Sequence, residues 1–354
     1  MAKVVVGMSG GVVSSVSAWL LKEQGYDLIG VTMQLWDGED VEGNCCGLTA
    51  AEDARAVAYR IGIPHYVMNF KKVFKEKVID YFVEEYLNAE TPNPCIACNR
   101  YVKWEALLHR AMELGADYIA TGHYANIVKH PVTGRFTLKT ADNKDQSYAL
   151  YNLTQEQLSR TLMPDGKYSK TEIRAIAEKI GLRVADKPDS QDICFVPDGD
   201  YSEFIRKNTD AVISEGDFVD SEGNVIGRHK GITNYTIGQR KGLGIALGVP
   251  AYVTAIDREN NRVVIGSNED LFKKRVIVKN YNPMGLGEIK DEVRCCGKLR
   301  YNQKKAPCVI RPFGEDGEYI EAIFDEPQRA VTPGQAAVFY DGEYVAGGGV
   351  IKGS

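Results

Sequence analysis

Short apolar runs alternate with helix-period stretches over the first half of the chain. Residues 3–6 (Lys-Val-Val-Val) read as a strand buried on both faces. A Gly-Met-Ser-Gly-Gly turn follows, then a helix from about Ser14 to Lys22 with Val16, Trp19 and Leu20 at helical spacing. Further strands are expected at Asp27–Leu35, His65–Asn69 and Tyr118–Thr121, and helices at Ala50–Ile61, Phe74–Leu87 and Tyr101–Leu114. Gly25, Gly62 and Gly115 stand where helices end. Strands alternating with helices predict an α/β domain built on a doubly wound parallel sheet. Two helices follow, Thr154–Ser159 and Ser169–Ile180, the second with Ser169 and Glu172 spaced as a capping box. A polar loop, Ala185–Gln191, then leads to Cys194 and Phe195. Beyond about Asn208 the texture changes to short β-rich runs separated by turn signals such as Ser221-Glu222-Gly223-Asn224 and Gly314-Glu315-Asp316-Gly317. The expected division is 1–207 for the α/β domain, 208–270 for a small β-rich domain, and 271–354 for a second, a β-barrel.

Composition narrows the class. The 354 residues are 44% hydrophobic and 26% charged, a soluble globular balance. No apolar run approaches the roughly 18 residues of a membrane helix, and the N-terminal stretch lacks the features of a secretory signal. A cytoplasmic protein without a membrane partner is expected, with a monomer as the default state. The net charge of −5 argues mildly against a nucleic-acid binder. An RNA ligand would be recognised with few phosphate contacts, by shape and an extruded base. Eight cysteines in a reducing compartment are no disulfide framework.

The first βα turn carries candidate chemistry: Gly7-Met8-Ser9-Gly10-Gly11-Val12-Val13-Ser14. Glycines let backbone amides approach an anion, the helix N-terminus adds partial positive charge, and Ser9 and Ser14 add hydroxyl donors. The alternative is a plain tight turn. Its place at the first turn of a doubly wound domain favours phosphate binding. It is neither a Walker loop nor a dinucleotide fingerprint. It resembles the PP-loop of ATP pyrophosphatases, Ser-Gly-Gly-x-Asp-Ser, which cleave ATP between its α and β phosphates. That resemblance implies an adenine nucleotide α-hydrolase-like domain using ATP with Mg²⁺. Val13 stands where the pattern has Asp, and a valine cannot ligate magnesium.

Three cysteines lie in loops beside polar signals. Cys95 and Cys98 sit in Thr91-Pro92-Asn93-Pro94-Cys95-Ile96-Ala97-Cys98-Asn99, a proline-stiffened loop expected to precede a helix. A thiol at a helix N-terminus gains thiolate character, which makes Cys98 a candidate nucleophile. Cys194 lies in a second loop. The other readings are a buried pair, or a zinc site completed by Cys194 and His123.

Further motifs follow in order: Ala120-Thr121-Gly122-His123-Tyr124, Lys144-Asp145-Gln146-Ser147-Tyr148, Asp189-Ser190 before Ile193-Cys194-Phe195, and Tyr235-Thr236-Ile237-Gly238-Gln239-Arg240-Lys241-Gly242-Leu243. Thr332-Pro333-Gly334-Gln335 and Gly347-Gly348-Gly349 complete the set. With Asn93-Pro94 and Cys98-Asn99 they resemble the tRNA-specific 2-thiouridylases over nearly the whole length. The resemblance implies ATP-dependent adenylation of the C2 oxygen of the tRNA wobble uridine, then sulfur transfer from a persulfide on Cys194 supplied by sulfur-carrier relay proteins. Cys98 would attack, or close a disulfide with Cys194. Met33 and Gly122 would line the ATP pocket. Asn93, Pro94 and Cys95 would touch the flipped base, with His123, Lys144, Asp145, Gln146, Arg300, Tyr301 and Gln335 as further tRNA contacts.

Cys95 departs from an Asp that many members of this family carry. Three thiols, Cys95, Cys98 and Cys194, suggest the ligand set of a [4Fe–4S] cluster as an alternative sulfur source. Basic clusters at Arg228, His229, Lys230, Arg240 and Lys241, and at Lys298, Arg300, Lys304 and Lys305, read as solvated strand faces or as tRNA phosphate contacts. Cys45, Cys46, Cys295, Cys296 and Cys308 are expected to be structural. The competing reading is a relative that binds ATP or tRNA with catalysis weakened or lost through Val13.

Overall fold

The computed structural model describes residues 1–36, 48–141, 144–182, 193–196, 199–245 and 248–353. Cys45, Cys46 and the loop from Ala185 to Gln191 lie outside these residues.

Five strands form a parallel sheet: β1 (Lys3–Gly7), β2 (Asp27–Gln34), β3 (His65–Asn69), β4 (Tyr118–Ala120) and, after a hairpin of β5 (Asn126–Lys129) and β6 (Phe136–Lys139), β7 (Thr161–Leu162). Their order is β3-β2-β1-β4-β7, which buries β1 at the centre. Side chains alternate along a strand, so the three valines of β1 serve two cores. Val4 and Val6 pack in the core that includes Val16 and Leu20 of α1 (Val12–Glu23), Ala54 and Val57 of α2 (Leu48–Ile61), and Ile173 of a later helix. Val5 packs on the opposite face, against α3 (71–87) and α4 (94–113), through Phe74, Val78, Phe82, Val102 and Trp104. Helices on both faces make the sheet doubly wound, as the apolar run of β1 predicts.

The middle of α3 and a long part of α4, Cys98–Leu107, are π-helical. After β7 come α6 (Lys170–Lys179) and α7 (Tyr201–Lys207), α5 (Gln155–Ser159) having preceded it. Both α5 and α6 begin with capping boxes, Thr154/Gln157 and Ser169/Glu172.

Four strands, β8 (Gly216–Val219), β9 (Val225–His229), β10 (Tyr252–Asp257) and β11 (Arg262–Gly266), form a small sheet around Phe218, Tyr235, Val253, Val263 and Ile265. The last six, β12 (Phe272–Asn282), β13 (Val293–Lys298), β14 (Ala306–Phe313), β15 (Tyr319–Arg329), β16 (Ala336–Asp341) and β17 (Tyr344–Gly353), close into a barrel through β12–β17 pairing. Closure removes the exposed sheet edge. Cys295 and Cys308 face each other across β13 and β14 in its interior, both buried.

The barrel is joined to the α/β domain by more than the chain. β6 pairs with β17 at Lys139 and Tyr344. Met284, Val338, Tyr340 and Val345 of the barrel region belong to the same core as Val5, α3 and α4. The β5–β6 hairpin, β7 and α7 were not expected from the sequence. The hairpin is short and mixed in polarity, and part of its pairing comes from a strand some two hundred positions later. No helix among the described residues is long and apolar enough to cross a membrane.

One buried group behind α1 is out of keeping with its surroundings. Asp165 is fully buried in the turn Pro164–Lys167, its carboxyl bonded to Ser17 Oγ while Oδ1 has no partner. Burial pushes its pKa up to about 7 against the smaller opposing effect of Ser17. A carboxyl pKa raised by folding favours the native state at low pH and weakens it as pH climbs from the unfolded to the folded value. Asp165→Asn is therefore expected to stabilise the protein by roughly 2–4 kcal/mol at pH 8 and to change little below pH 4. Thermal melts of both proteins across that range check it.

Candidate functional site

The loop between β1 and α1 is shaped by its glycines. Gly10 has φ +69°, and a side chain there would strike Ala50 O at 2.4 Å. Gly11 is the N-cap of α1 and offers no side chain to its amides. The uncapped first turn thus presents N–H groups and the positive end of the helix dipole to the sheet's carboxyl edge. Ser14 Oγ accepts from Ser9 N at 3.2 Å and lies 3.2 Å from Ser9 Oγ, so the two hydroxyls share one side of the loop.

β4 ends against this turn. A Cβ on Gly122 would lie 3.0 Å from Ser14 N and from Val13 Cγ1. Its neighbour His123 is held by Thr121, whose Oγ1 is 2.8 Å from Nδ1, and its ring lies 5.4 Å from that of Trp104. Burial, then the charge of Lys103, drives the His123 pKa well below its ordinary value, so the imidazole is neutral.

α4 begins earlier than the sequence suggests. Asn93 Oδ1 accepts from Cys95 N (3.1 Å) and Ile96 N (3.4 Å), and Pro94 takes the first helical position. The helix therefore starts at residue 94, not near 101. This corrects the argument for Cys98: Cys95 occupies the first turn, and Cys98 lies a turn further in, where the dipole has faded. The chemical case for Cys98 rests on its neighbours in the cavity instead.

Cys194 is placed by the residue after it. Phe195 inserts among Phe74, Phe82 and Phe204 at ring separations of 5.7, 5.4 and 5.1 Å. Cys98 and Cys194 are half-buried and Cys95 is exposed.

These elements enclose a cavity of about 340 Å³. Gly7, Met8, Ser9, Val13 and Ser14 line one side, Cys95, Cys98 and Cys194 another, with Met33, Pro94, Gly122, His123 and Gln146 between them. Gly10, Gly11 and Val12 shape the loop without lining the cavity. Sequence reasoning missed Asn99 and Lys103, which also line it. No sequence signal marks Lys103: in a run with i→i+5 hydrogen bonds position 103 returns toward the face of position 98, and that winding belongs to the fold.

The other expected tRNA contacts lie outside the cavity. Asp145 accepts from Ala141 N, Ser147 N and Ser147 Oγ, fixing the loop that presents Lys144 and Gln146. Tyr301 donates from its hydroxyl to Asp145 O at 3.3 Å, which joins the barrel to that loop. Burial raises the Tyr301 pKa, with Asp145 and Cys95 adding to it. Gln335 donates to Thr91 O at 2.7 Å and so steadies the segment carrying Asn93. Arg300 differs from a simple phosphate contact: its Nη2 meets Ile237 O, Ala330 O and Thr332 Oγ1, and Nε is buried without a partner. In the central sheet His229 is buried, with Nδ1 accepting from Gly231 N and Nε2 against Asn261 O, and Arg228 pairs with Asp217. His229 is thus structural rather than part of a basic face, while Arg228 stays exposed in its ion pair.

Neither metal expectation finds a matching donor set. Among the described residues no three His, Cys, Asp or Glu side chains gather as a metal site, and nothing supports a [4Fe–4S] cluster or zinc on the thiols. No Asp or Glu among those residues lines the cavity, and Val13 occupies the expected carboxylate position, so no described carboxylate offers magnesium a ligand there.

A phosphate-cradling loop at the first turn of a doubly wound sheet defines a nucleotide-binding domain of the PP-loop class. Family models agree along the chain: tRNA methyl transferase HUP domain over residues 2–198, tRNA methyl transferase PRC-barrel domain over 202–267, and aminomethyltransferase beta-barrel domain over 273–351. The protein is 60% identical over 99% of both chains to the tRNA-specific 2-thiouridylase MnmA of Lachnoclostridium phytofermentans. It is 56% identical to that of Clostridioides difficile over 99% of this chain and 98% of the relative. MnmA 1 of Thermoanaerobacter sp. is 57% identical with the same coverage. The chain belongs to the tRNA-specific 2-thiouridylase family.

Because Arg300 ties the barrel to Ile237 of the central region, Arg300→Met should lower stability by about 1–3 kcal/mol. A denaturant titration measures the loss. An unchanged midpoint, with weakened tRNA binding alone, would return Arg300 to a purely RNA-contacting role.

Proposed function

We propose that this protein replaces oxygen by sulfur at C2 of the wobble uridine of tRNA, at the expense of ATP. The observation that carries the proposal is a single cavity in which Ser9 and Ser14 of the glycine loop face Cys98 and Cys194.

A carbonyl oxygen is a poor leaving group, and adenylation makes it a good one. The uridine O2 bonds to the α-phosphorus of ATP while the bond to pyrophosphate breaks and the N3 proton leaves. The loop amides and the uncapped start of α1 hold the phosphate charge. The outer sulfur of a Cys194 persulfide then attacks C2, and AMP departs with the former O2. The Cys98 thiolate attacks Cys194 Sγ, which frees the sulfur on C2 and leaves a Cys98–Cys194 disulfide for an external dithiol to reduce. Sulfur-carrier proteins reload Cys194. The uridine reaches the thiols only after leaving its stack. Asn93, Pro94 and Cys95 at the mouth receive it, with His123 and Gln146 deeper and Lys144, Asp145, Arg300, Tyr301 and Gln335 shaping the approach. Met33 and Gly122 border the nucleotide. We place the reaction in the cytoplasm, carried out by a monomer divided at residues 207 and 270.

The test is nucleoside mass spectrometry on tRNA from cells lacking the protein and complemented with variants. Wild type should restore 2-thiouridine, and Cys194→Ala and Cys98→Ala should each leave it at the background level. Restoration by the Cys194→Ala protein would refute the assignment.

A second reading has its own observation: no described carboxylate lines the cavity, and Val13 stands at the position of the expected one. On this reading the protein binds ATP and tRNA but turns over slowly. Val13→Asp should then raise tRNA-dependent pyrophosphate release about 10-fold or more, measured by a coupled assay. Equal rates for the two proteins would discard it.

A further inference from the structure

We propose that Lys103 holds the α-phosphate of the nucleotide, a role that rests on the ATP reading above and gives it a specific cation. Lys103 is the one Lys or Arg among the described residues lining the cavity. Among the described lining residues no other full positive charge meets phosphate oxygens bound there, because His123 beside it is neutral.

Three observations place the ammonium toward the loop. Lys103 Nζ donates to Asn99 Oδ1 at 2.8 Å, and Asn99 Nδ2 is itself fixed on Ala149 O at 3.0 Å. The long side chain is therefore anchored, and an ammonium has three N–H groups, so two remain for a ligand. Its charge is felt by His123. His123 follows Gly122, where an added Cβ would already meet Val13 and the Ser14 amide at the start of α1. A phosphate seated on that first turn is thus reached by the glycine loop from one side and by Lys103 from the other. The segment that places Lys103 on the cavity face is π-helical. An α-helical course would advance the residue differently around the axis.

An anchored ammonium serves two moments of the reaction. As O2 bonds to the α-phosphorus, negative charge grows on the non-bridging oxygens. When AMP leaves C2, the same group carries the charge away. A point charge that is already in position stabilises both without reorganising. Cys98 lies on the same helix face, and a competing role for Lys103 is to hold that thiolate.

The experiment compares wild type, Lys103→Met and Lys103→Arg in binding AMP, ATP and adenosine by calorimetry, with the pH dependence of Cys98 alkylation measured in a Cys194→Ala background. Lys103→Met is expected to weaken AMP and ATP about 10- to 100-fold while adenosine, which has no phosphate, binds as before. Lys103→Arg should recover part of the loss and serves if the Met variant does not fold. Unchanged AMP affinity with a raised alkylation pKa overturns the proposal in favour of the thiolate role. Equal weakening of AMP and adenosine also overturns it, since that is a structural effect. If wild type binds neither AMP nor ATP, the ATP reading fails together with this one. If wild type binds them and the variants match it, this one fails alone.

Discussion

The end of β4 approaches the first turn of α1 closely at residue 122, where glycine leaves no side chain between them. A Cβ there would sit 3.0 Å from the Ser14 amide, a contact tight enough that the turn would have to give way slightly. The rest of the site follows from that approach. His123 comes down beside the glycine loop, Trp104 packs near its ring, and Trp104 Nε1 donates to Thr161 Oγ1 on β7. The π-helical segment of α4, carrying Cys98, Asn99 and Lys103, is thereby registered against the loop. A nucleotide reaction and a thiol reaction need atoms within bonding reach of one another. Here a sheet-end glycine sets the spacing between the two halves, and tertiary packing maintains it.

The barrel takes part in the same construction. Thr91 N donates to Pro333 O and Gln335 returns a bond to Thr91 O, so the segment before Asn93 is clamped to β-barrel backbone. Lys279 pairs with Glu90 on the same side of the interface. Tyr301 donates to Asp145 O and adds a further tie between barrel and α/β domain. These contacts give residues far apart in the chain a common task, to fix the mouth through which a base would enter. They also explain why Arg300 and Gln335, expected as RNA contacts, spend side-chain donors on the protein itself. A rim that must accept a flexible nucleic acid gains from being rigid beforehand, since less entropy is lost on binding.

Much of the α/β domain was legible because its signals are local. Lys3-Val4-Val5-Val6 and the glycine turn specify a buried strand and an uncapped helix without reference to anything distant. The capping boxes at Thr154 and Ser169 are likewise complete within four residues. What escaped reading depends on distant partners. The β5–β6 hairpin draws pairing from Tyr344 of β17, and a run as mixed as Asn-Ile-Val-Lys carries no strong period of its own. The start of α4 was misplaced because Thr91-Pro92-Asn93-Pro94 reads as a stiff loop, whereas Asn93 is a cap and Pro94 a first-turn residue. That shift hid the chemistry of Lys103, whose place on the cavity face follows from π-helical winding. His229 was counted with its charged neighbours until packing showed it inside the small sheet.

Charge is the quantity that brings these pieces together. A nucleotide entering the cavity carries several negative charges into a space whose described lining has no carboxylate, one neutral imidazole and one ammonium. With valine at position 13, the phosphate end loses the expected metal ligand, and no carboxylate among the described residues lines the space. Among the described groups, those available to phosphate are backbone amides, the dipole of α1, two serine hydroxyls and Lys103. Those groups suit the α-phosphate, the one nearest the reacting base, better than a distant pyrophosphate that would need a divalent cation to offset its charge. The effect of Val13 should therefore fall on the adenylation half of the reaction and spare the sulfur half, because Cys98 and Cys194 lie across the cavity and are placed by α4 and Phe195, not by the loop.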